Sequence, residues 1–328
     1  MKKRYSLLFL LAALVWCSSC NDEWKDEQFE HYVSFKAPLD DDGVTQIHVR
    51  YKPDGVVTYQ LPLIVSGSTT NNSNMTVHVA VDTDTLQTLN YQRFQSREDL
   101  YYLDLDSKYF TMSDTVHIHA GENTSVLNIN LTLGDIDLVD KWLLPLTIVN
   151  DPSYDYVANP RKNYSKALLR VMPFNDYSGT YSGTALKTFL KGYENDAAIV
   201  RSEIPVYVVN DSTVFFYAGT VDENRTDRRN YKIYASFDNR TKRVILTAED
   251  PNINFQVNST PVFVVEETMD ATLPYLLHRY VTISQIDYNF TDYTTVPGAT
   301  IDYTVRGSMI LERKINTQIP DEDQAIEW

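Results

Sequence analysis

Leu127-Asn128-Ile129-Asn130-Leu131-Thr132-Leu133 carries an apolar side chain at every second position, the period of a strand with one face buried and the other in water. The alternation recurs where Val77, Val79 and Val81 flank His78 and Ala80, and where Ile301, Tyr303 and Val305 flank Asp302, Thr304 and Arg306. Further strand-like runs occupy 32–36, 47–51, 56–65, 143–149 and 167–172. In the second half they occupy 206–209, 213–217, 231–237, 244–247, 262–265 and 301–311. Turn chemistry such as Pro53-Asp54-Gly55 and Ala120-Gly121-Glu122-Asn123 separates them. One short helix is expected over 83–94, where Leu86, Leu89 and Phe94 share a face behind an Asp or Thr cap. Short strands joined by turns, without helical crossovers, predict an all-β chain of antiparallel sandwiches or barrels.

Met172-Pro173-Phe174-Asn175-Asp176 is a proline-bearing polar break, which sets a domain cut near 173. The expected organisation is a leader over 1–19, an acidic tether over 20–30, a first β domain over 31–172 and a second over 173–328. Each domain is large enough for its own core. The opening Tyr177-Ser178-Gly179-Thr180-Tyr181 and the closing Tyr303-Thr304-Val305-Arg306-Gly307-Ser308 suit the first and last strands of an up-and-down sheet. Both a closed, lipocalin-like barrel and a sandwich satisfy that pattern.

At the N-terminus, Lys2, Lys3 and Arg4 precede an apolar run from Tyr5 to Trp16 and the small residues Ser18 and Ser19, the layout of a signal peptide. The run is well short of the ~20 residues a membrane-spanning helix needs. Ser18-Ser19-Cys20 resembles the bacterial lipoprotein signal, although Cys17 stands where that family usually has Leu; the resemblance implies that Cys20 carries a lipid anchor. The following Asn21-Asp22-Glu23-Trp24-Lys25-Asp26-Glu27 resembles the surface-export tag of Bacteroidetes lipoproteins, which implies display on the outer face of the outer membrane.

Longer stretches carry a second resemblance. His31-Tyr32-Val33-Ser34-Phe35-Lys36-Ala37-Pro38, Leu61-Pro62-Leu63-Ile64-Val65-Ser66-Gly67-Ser68 and Lys141-Trp142-Leu143-Leu144-Pro145-Leu146-Thr147-Ile148 resemble the N-terminal domain of a Bacteroidetes lipoprotein family. That domain also stands ahead of the catalytic domain of some endo-β-N-acetylglucosaminidases. From Phe174 to Met309 the chain is similar to an uncharacterised partner domain. The resemblance implies an immunoglobulin-like first domain and an accessory of a glycan-capture system, whose partners are a glycan or oligosaccharide and outer-membrane importer components.

Charge and motif content narrow the chemistry. Loss of the leader removes three of 29 basic residues, leaving 26 against 44 acidic ones and a net charge of −18. Nucleic acid is thereby disfavoured as a partner, whereas a neutral sugar meets no repulsion. Both cysteines, Cys17 and Cys20, belong to the leader region, so no thiol chemistry or disulfide is expected in the body. No nucleophile elbow, Walker loop or dinucleotide fingerprint occurs. Asp135, Asp137 and Asp140 read as turn and cap acids, Asp40-Asp41-Asp42-Gly43 as an acidic turn, and His117 with His119 as a solvated strand face. No enzyme activity, cofactor or metal is expected.

Tyrosine is the compositional excess, at 23 residues. Most suit strand packing, but rings in loops could stack on the flat C–H faces of a sugar while neighbouring amides and charges bond its hydroxyls. The candidate glycan-binding residues are therefore Tyr154, Tyr156, Asn159 and Arg161 in one expected loop, and Tyr288 and Tyr293 in another. Trp142 reads as core and Trp328 as a tail. A structural or adhesive surface subunit binding another protein is the alternative.

Overall fold

A computed structural model describes residues 27–328; the leader, Cys20 and most of the acidic tether lie outside the described residues. The first unit contains β1 (Tyr32–Phe35), β2 (Thr45–Arg50), β3 (Val57–Val65), β4 (Met75–Val81), β5 (Tyr102–Asp104), β6 (Phe110–Met112), β7 (Thr115–Ile118), β8 (Thr124–Leu131), β9 (Lys141–Ile148), β10 (Val157–Ala158) and β11 (Lys166–Phe174). They form two facing sheets, ordered β10-β1-β3-β8-β6 and β2-β11-β9-β4-β7, with β5 added beside β9. The sheets enclose one core to which Val33, Leu61, Leu63, Ile47, Val77, Leu144 and Leu169 contribute. In β8, Leu127, Ile129 and Leu131 enter that core, while Asn130 on the opposite face accepts a hydrogen bond from Thr58. Each fully buried aliphatic side chain contributes roughly 1.5–3 kcal/mol.

Three pairs, β1–β10, β2–β11 and β5–β9, run parallel, contrary to the antiparallel expectation. Short turns enforce antiparallel pairing only between strands that they join. Helix α1 (Thr83–Phe94) spans the expected residues, and its Asp82 cap accepts from the Thr85 amide. Leu86 packs on Leu143 and Leu168, and buried Asn90 pairs both its amide groups with the Tyr102 backbone at 2.8 Å. Among the described residues no helix is long and apolar enough to cross a membrane.

The second unit comprises β12 (Gly179–Ser182), β13 (Leu186–Leu190), β14 (Ile199–Val200), β15 (Glu203–Val208), β16 (Thr213–Tyr217), β17 (Lys232–Asp238), β18 (Arg243–Ala248), β19 (Gln256–Val257), β20 (Val262–Met269), β21 (Leu276–Asp292), β22 (Ile301–Asn316) and β23 (Ile326–Glu327). Eight of them close into an antiparallel ring, β22-β12-β15-β16-β17-β18-β20-β21 and back to β22. Tyr181, Phe216, Tyr231, Phe263 and Tyr288 fill it. Buried hydroxyls are satisfied there: Tyr181 donates to the Tyr177 carbonyl, and Tyr288 accepts from the Gly219 amide. Beyond Phe263 no strand among the described residues pairs the outer edge of β20, so β20, β21 and β22 continue out of the ring as a three-stranded arm.

The stretch carrying Tyr288 and Phe290 is part of β21 rather than a loop. Its alternation is broken by one extra residue: Ile283 faces Met309 but Ile286 faces Gly307, a bulge in which Gln285 takes φ 59°. The shift hides the period of two from a reading of the sequence.

Polar contacts and shared core lock the units together. Tyr51, Leu138 and Val139 from the first unit join the barrel core. Glu223 receives Arg170 at 2.8 Å and the Tyr207 hydroxyl at 2.9 Å, with Lys141 at 4.0 Å. Burial alone would raise the Glu223 pKa, but the charge and hydrogen bond of Arg170, with Lys141 and Tyr207, hold it at about 2. Asp137 and Asp140, besides shaping their turn, grip Arg229 across the junction at 2.5 and 2.9 Å.

Candidate functional site

The groove that best fits a ligand begins at an exposed corner of the sandwich. β2 is an edge strand with β11 as its neighbour, and β1 covers β3 only along Leu63–Val65, so that among the described residues Val57–Gln60 has no strand partner on that side. A groove of 1070 Å³ lies between these edges and the folded-back C-terminal segment. That segment is the short helix α2 (Glu322–Ala325) followed by β23. Asp321 caps the helix, β23 pairs with β22, and Ala325 and Ile326 bury against Phe174 and Ile315.

This docking places the Trp328 indole over His48, with centroids 3.9 Å apart and planes 7° from parallel. Phe174 meets the same indole edge-on at 4.7 Å. Trp328 is still 52% exposed. Burial, with the nearby Arg170 and Arg313 charges, lowers His48 to about 4, so at neutral pH the support beneath the indole is uncharged. Gln46, Thr58, Gln60, Asp40 and Gln324 supply polar groups along the walls. Arg50 crosses one end, donating to Asp323 at 2.8 and 2.5 Å and to Asp176 at 2.7 Å. An open aromatic ring beside amides, a hydroxyl and carboxylates suits a sugar, which has apolar faces and a polar rim.

The residues singled out from sequence lie elsewhere and in two separate places. Tyr156 is buried, donating to the Val149 carbonyl at 2.6 Å and accepting from the His78 amide at 3.0 Å. Tyr154 stacks half-buried between His78 and Tyr156. Asn159 bonds Ser34 at 3.0 Å, and Arg161 is exposed. These rings close one end of the sandwich, because aromatic side chains in a short loop gain more from covering apolar edges than from standing in water. Tyr288 is fully buried inside the barrel, and half-buried Tyr293 donates to Asp250 at 2.6 Å. Both buried tyrosines, Tyr156 and Tyr288, are thereby removed from direct ligand contact. The groove's own platform, Trp328, reads as a tail in sequence. Its available signal is Ala325-Ile326-Glu327-Trp328, a short apolar alternation able to add a strand.

Among the described residues no cluster of three or more His, Cys, Asp or Glu could hold a metal. His117 and His119 are both exposed. Asp40 accepts the amides of Asp42 and Val44 at 2.8 and 3.2 Å, as an acidic turn does.

Comparison with known proteins matches residues 24–152 to a domain of unknown function, DUF4973, and residues 165–310 to a second family described as a C-terminal domain. No curated protein matches the chain. An auxiliary nutrient binding protein from Bacteroides thetaiotaomicron is 45% identical, with 92% of this chain and 100% of that one covered and a TM-score of 0.82. A Bacteroides ovatus protein of unknown function is 46% identical over 90% of this chain and 100% of its own, at a TM-score of 0.80. A multidomain Bacteroides ovatus protein including DUF1735 is 44% identical with the same coverage and TM-score. With such identity over whole chains, this protein belongs to the family of two-domain Bacteroides proteins that begins with DUF4973.

Proposed function

We propose that the protein is a non-catalytic, lipid-anchored accessory that captures glycan at the cell surface for an outer-membrane importer. The observation that carries the binding role is the Trp328 ring, held flat by His48 and open to a groove with amide and carboxylate walls. Support also comes from the nutrient-binding description of the 45% identical relative. The likeness of the first domain to the one ahead of some endo-β-N-acetylglucosaminidase catalytic domains adds the glycan connection. The Ser18-Ser19-Cys20 signal and its acidic follower supply the address. A binder fixed at one end works at high local concentration, so a weak site suffices.

Affinity gels of the purified protein cast with a panel of neutral polysaccharides test this reading. At least one polysaccharide should retard the protein, and Trp328→Ala should weaken retention about tenfold or more, equivalent to ~1.4 kcal/mol, with an unchanged circular-dichroism spectrum. Passage through every gel without retardation sinks the proposal. Replacement of Cys20 by Ala should release the protein from the membrane fraction without altering its binding. The adhesive alternative draws no comparable support, since Glu266 and Glu267 interrupt the exposed Val264, Val265 and Met269 on the free β20 edge, a charge pattern that discourages strand addition.

A further inference from the structure

The groove does not end at Arg50. A second cavity of 650 Å³ adjoins it on the far side of that residue, lined by Val265, Glu267, Arg279 and Val281 of the barrel arm. The two lobes share Arg50, Asp321 and Asp323. The two cavities therefore lie side by side, one at the corner of the sandwich beside Trp328 and the other against the arm.

Its charges are unevenly matched. Carboxylates come from Asp40, Asp176, Glu267, Asp321, Glu322 and Asp323, and cations from Arg50, Lys52 and Arg279. Both guanidinium groups are already occupied. Arg50 is held by Asp176 and Asp323, and Arg279 by Glu267 at 2.6 Å and Glu322 at 2.5 Å. Lys52 is exposed on the rim. A carboxylate or sulfate on the ligand would find no free guanidinium fork and would approach several like charges, whereas hydroxyl groups can donate to these carboxylates.

We infer that the ligand of this site is an uncharged glycan segment that lies across both lobes, and that the excess of carboxylates excludes acidic polysaccharides. This rests on the glycan-capture reading above and adds the substrate class.

Matched probes isolate charge from sugar identity. Dextran, mannan, xylan and mixed-linkage β-glucan, each beside its own carboxymethylated derivative, are compared by affinity gel and titration calorimetry with the full chain. The expected result is that any backbone bound in neutral form binds at least tenfold more weakly once carboxymethylated, at low ionic strength. Glu267→Gln, which frees one side of Arg279, should narrow the gap between the two forms by recovering several-fold of the loss for the carboxymethylated probe. Equal or tighter binding of the carboxymethylated form overturns the inference while leaving glycan capture standing. If neither form of any polysaccharide binds, capture itself fails and the inference falls with it.

Discussion

His48 shows how one side chain is committed before any ligand arrives. It is enclosed by Trp328 and faces the charges of Arg170 and Arg313, and burial and those charges together lower it to about 4 from an ordinary 6.5. The sign of the consequence follows from proton uptake. Between about 6.5 and 4 the unfolded chain gains a proton on His48 that the folded chain does not take. Stability therefore falls as pH drops through that window and this contribution levels off below it. Denaturant titrations at pH 7, 5.5 and 4 should show this loss in the wild type, and His48→Gln should flatten the difference. Glycan retention should hold down to about pH 5, since the stacked ring is still neutral there. Among tyrosines, by contrast, most assignments come from interior needs. Tyr181 and Tyr288 put rings into the barrel and satisfy their hydroxyls on backbone groups, which composition alone cannot separate from a binding role.

At the scale of single elements, β21 and β22 carry two backbone devices. Gly307 takes φ 138°, and a Cβ there would lie 1.9 Å from the Ala185 carbonyl oxygen, where the strand passes the turn between β12 and β13. Gly307→Ala should cost about 3 kcal/mol, read as a shift in denaturation midpoint at constant slope. Gln285 on the opposing strand bears a left-handed φ without needing its side chain inside, so Gln285→Gly should be neutral or stabilise by up to about 1 kcal/mol in the same assay. A glycine tolerated at 285 and an alanine rejected at 307 would locate the constraint in the backbone rather than in packing. These elements also mark what sequence could and could not disclose. Strands with clean alternation, such as β8 and β4, and the helix behind Asp82 were readable because local period and local burial agree. The bulge at Gln285 defeats that agreement and turns a strand into an apparent loop. The Trp328 platform was hidden for another reason: its neighbours His48 and Phe174 are distant in sequence, and only the pairing of β23 with β22 brings them together.

For the whole molecule, the Glu223 cluster determines whether two domains behave as one. Arg170 and Lys141 are 6% and 4% exposed, and Glu223 is the carboxylate from the partner domain that compensates both. Glu223→Gln leaves those charges buried without a counter-charge and should destabilise by about 3–5 kcal/mol. Two separate unfolding steps should then replace a single transition in calorimetry. The same group predicts acid sensitivity. With a folded pKa of about 2 against an ordinary 4.5, its contribution is complete above about 4.5 and is lost as pH falls toward 2. In wild type the separation of domains should therefore start in that range, and in Glu223→Gln it should already be present at neutral pH.

Closure by distant strands has a bearing on how the chain comes into being. In the sandwich, β2 finds its only sheet neighbour among the described residues in β11, more than a hundred residues later; in the barrel, β12 waits for β22. Neither domain can complete its hydrogen bonding until nearly all of its own sequence is present, and such non-local pairing folds slowly. During synthesis the incomplete barrel would expose unpaired edges until residues near Asn316 arrive, a period in which premature association is the main hazard. The sandwich, finished by Phe174, would by then already stand as a folded neighbour whose Tyr51, Leu138 and Val139 offer the late-forming barrel an apolar surface to assemble against.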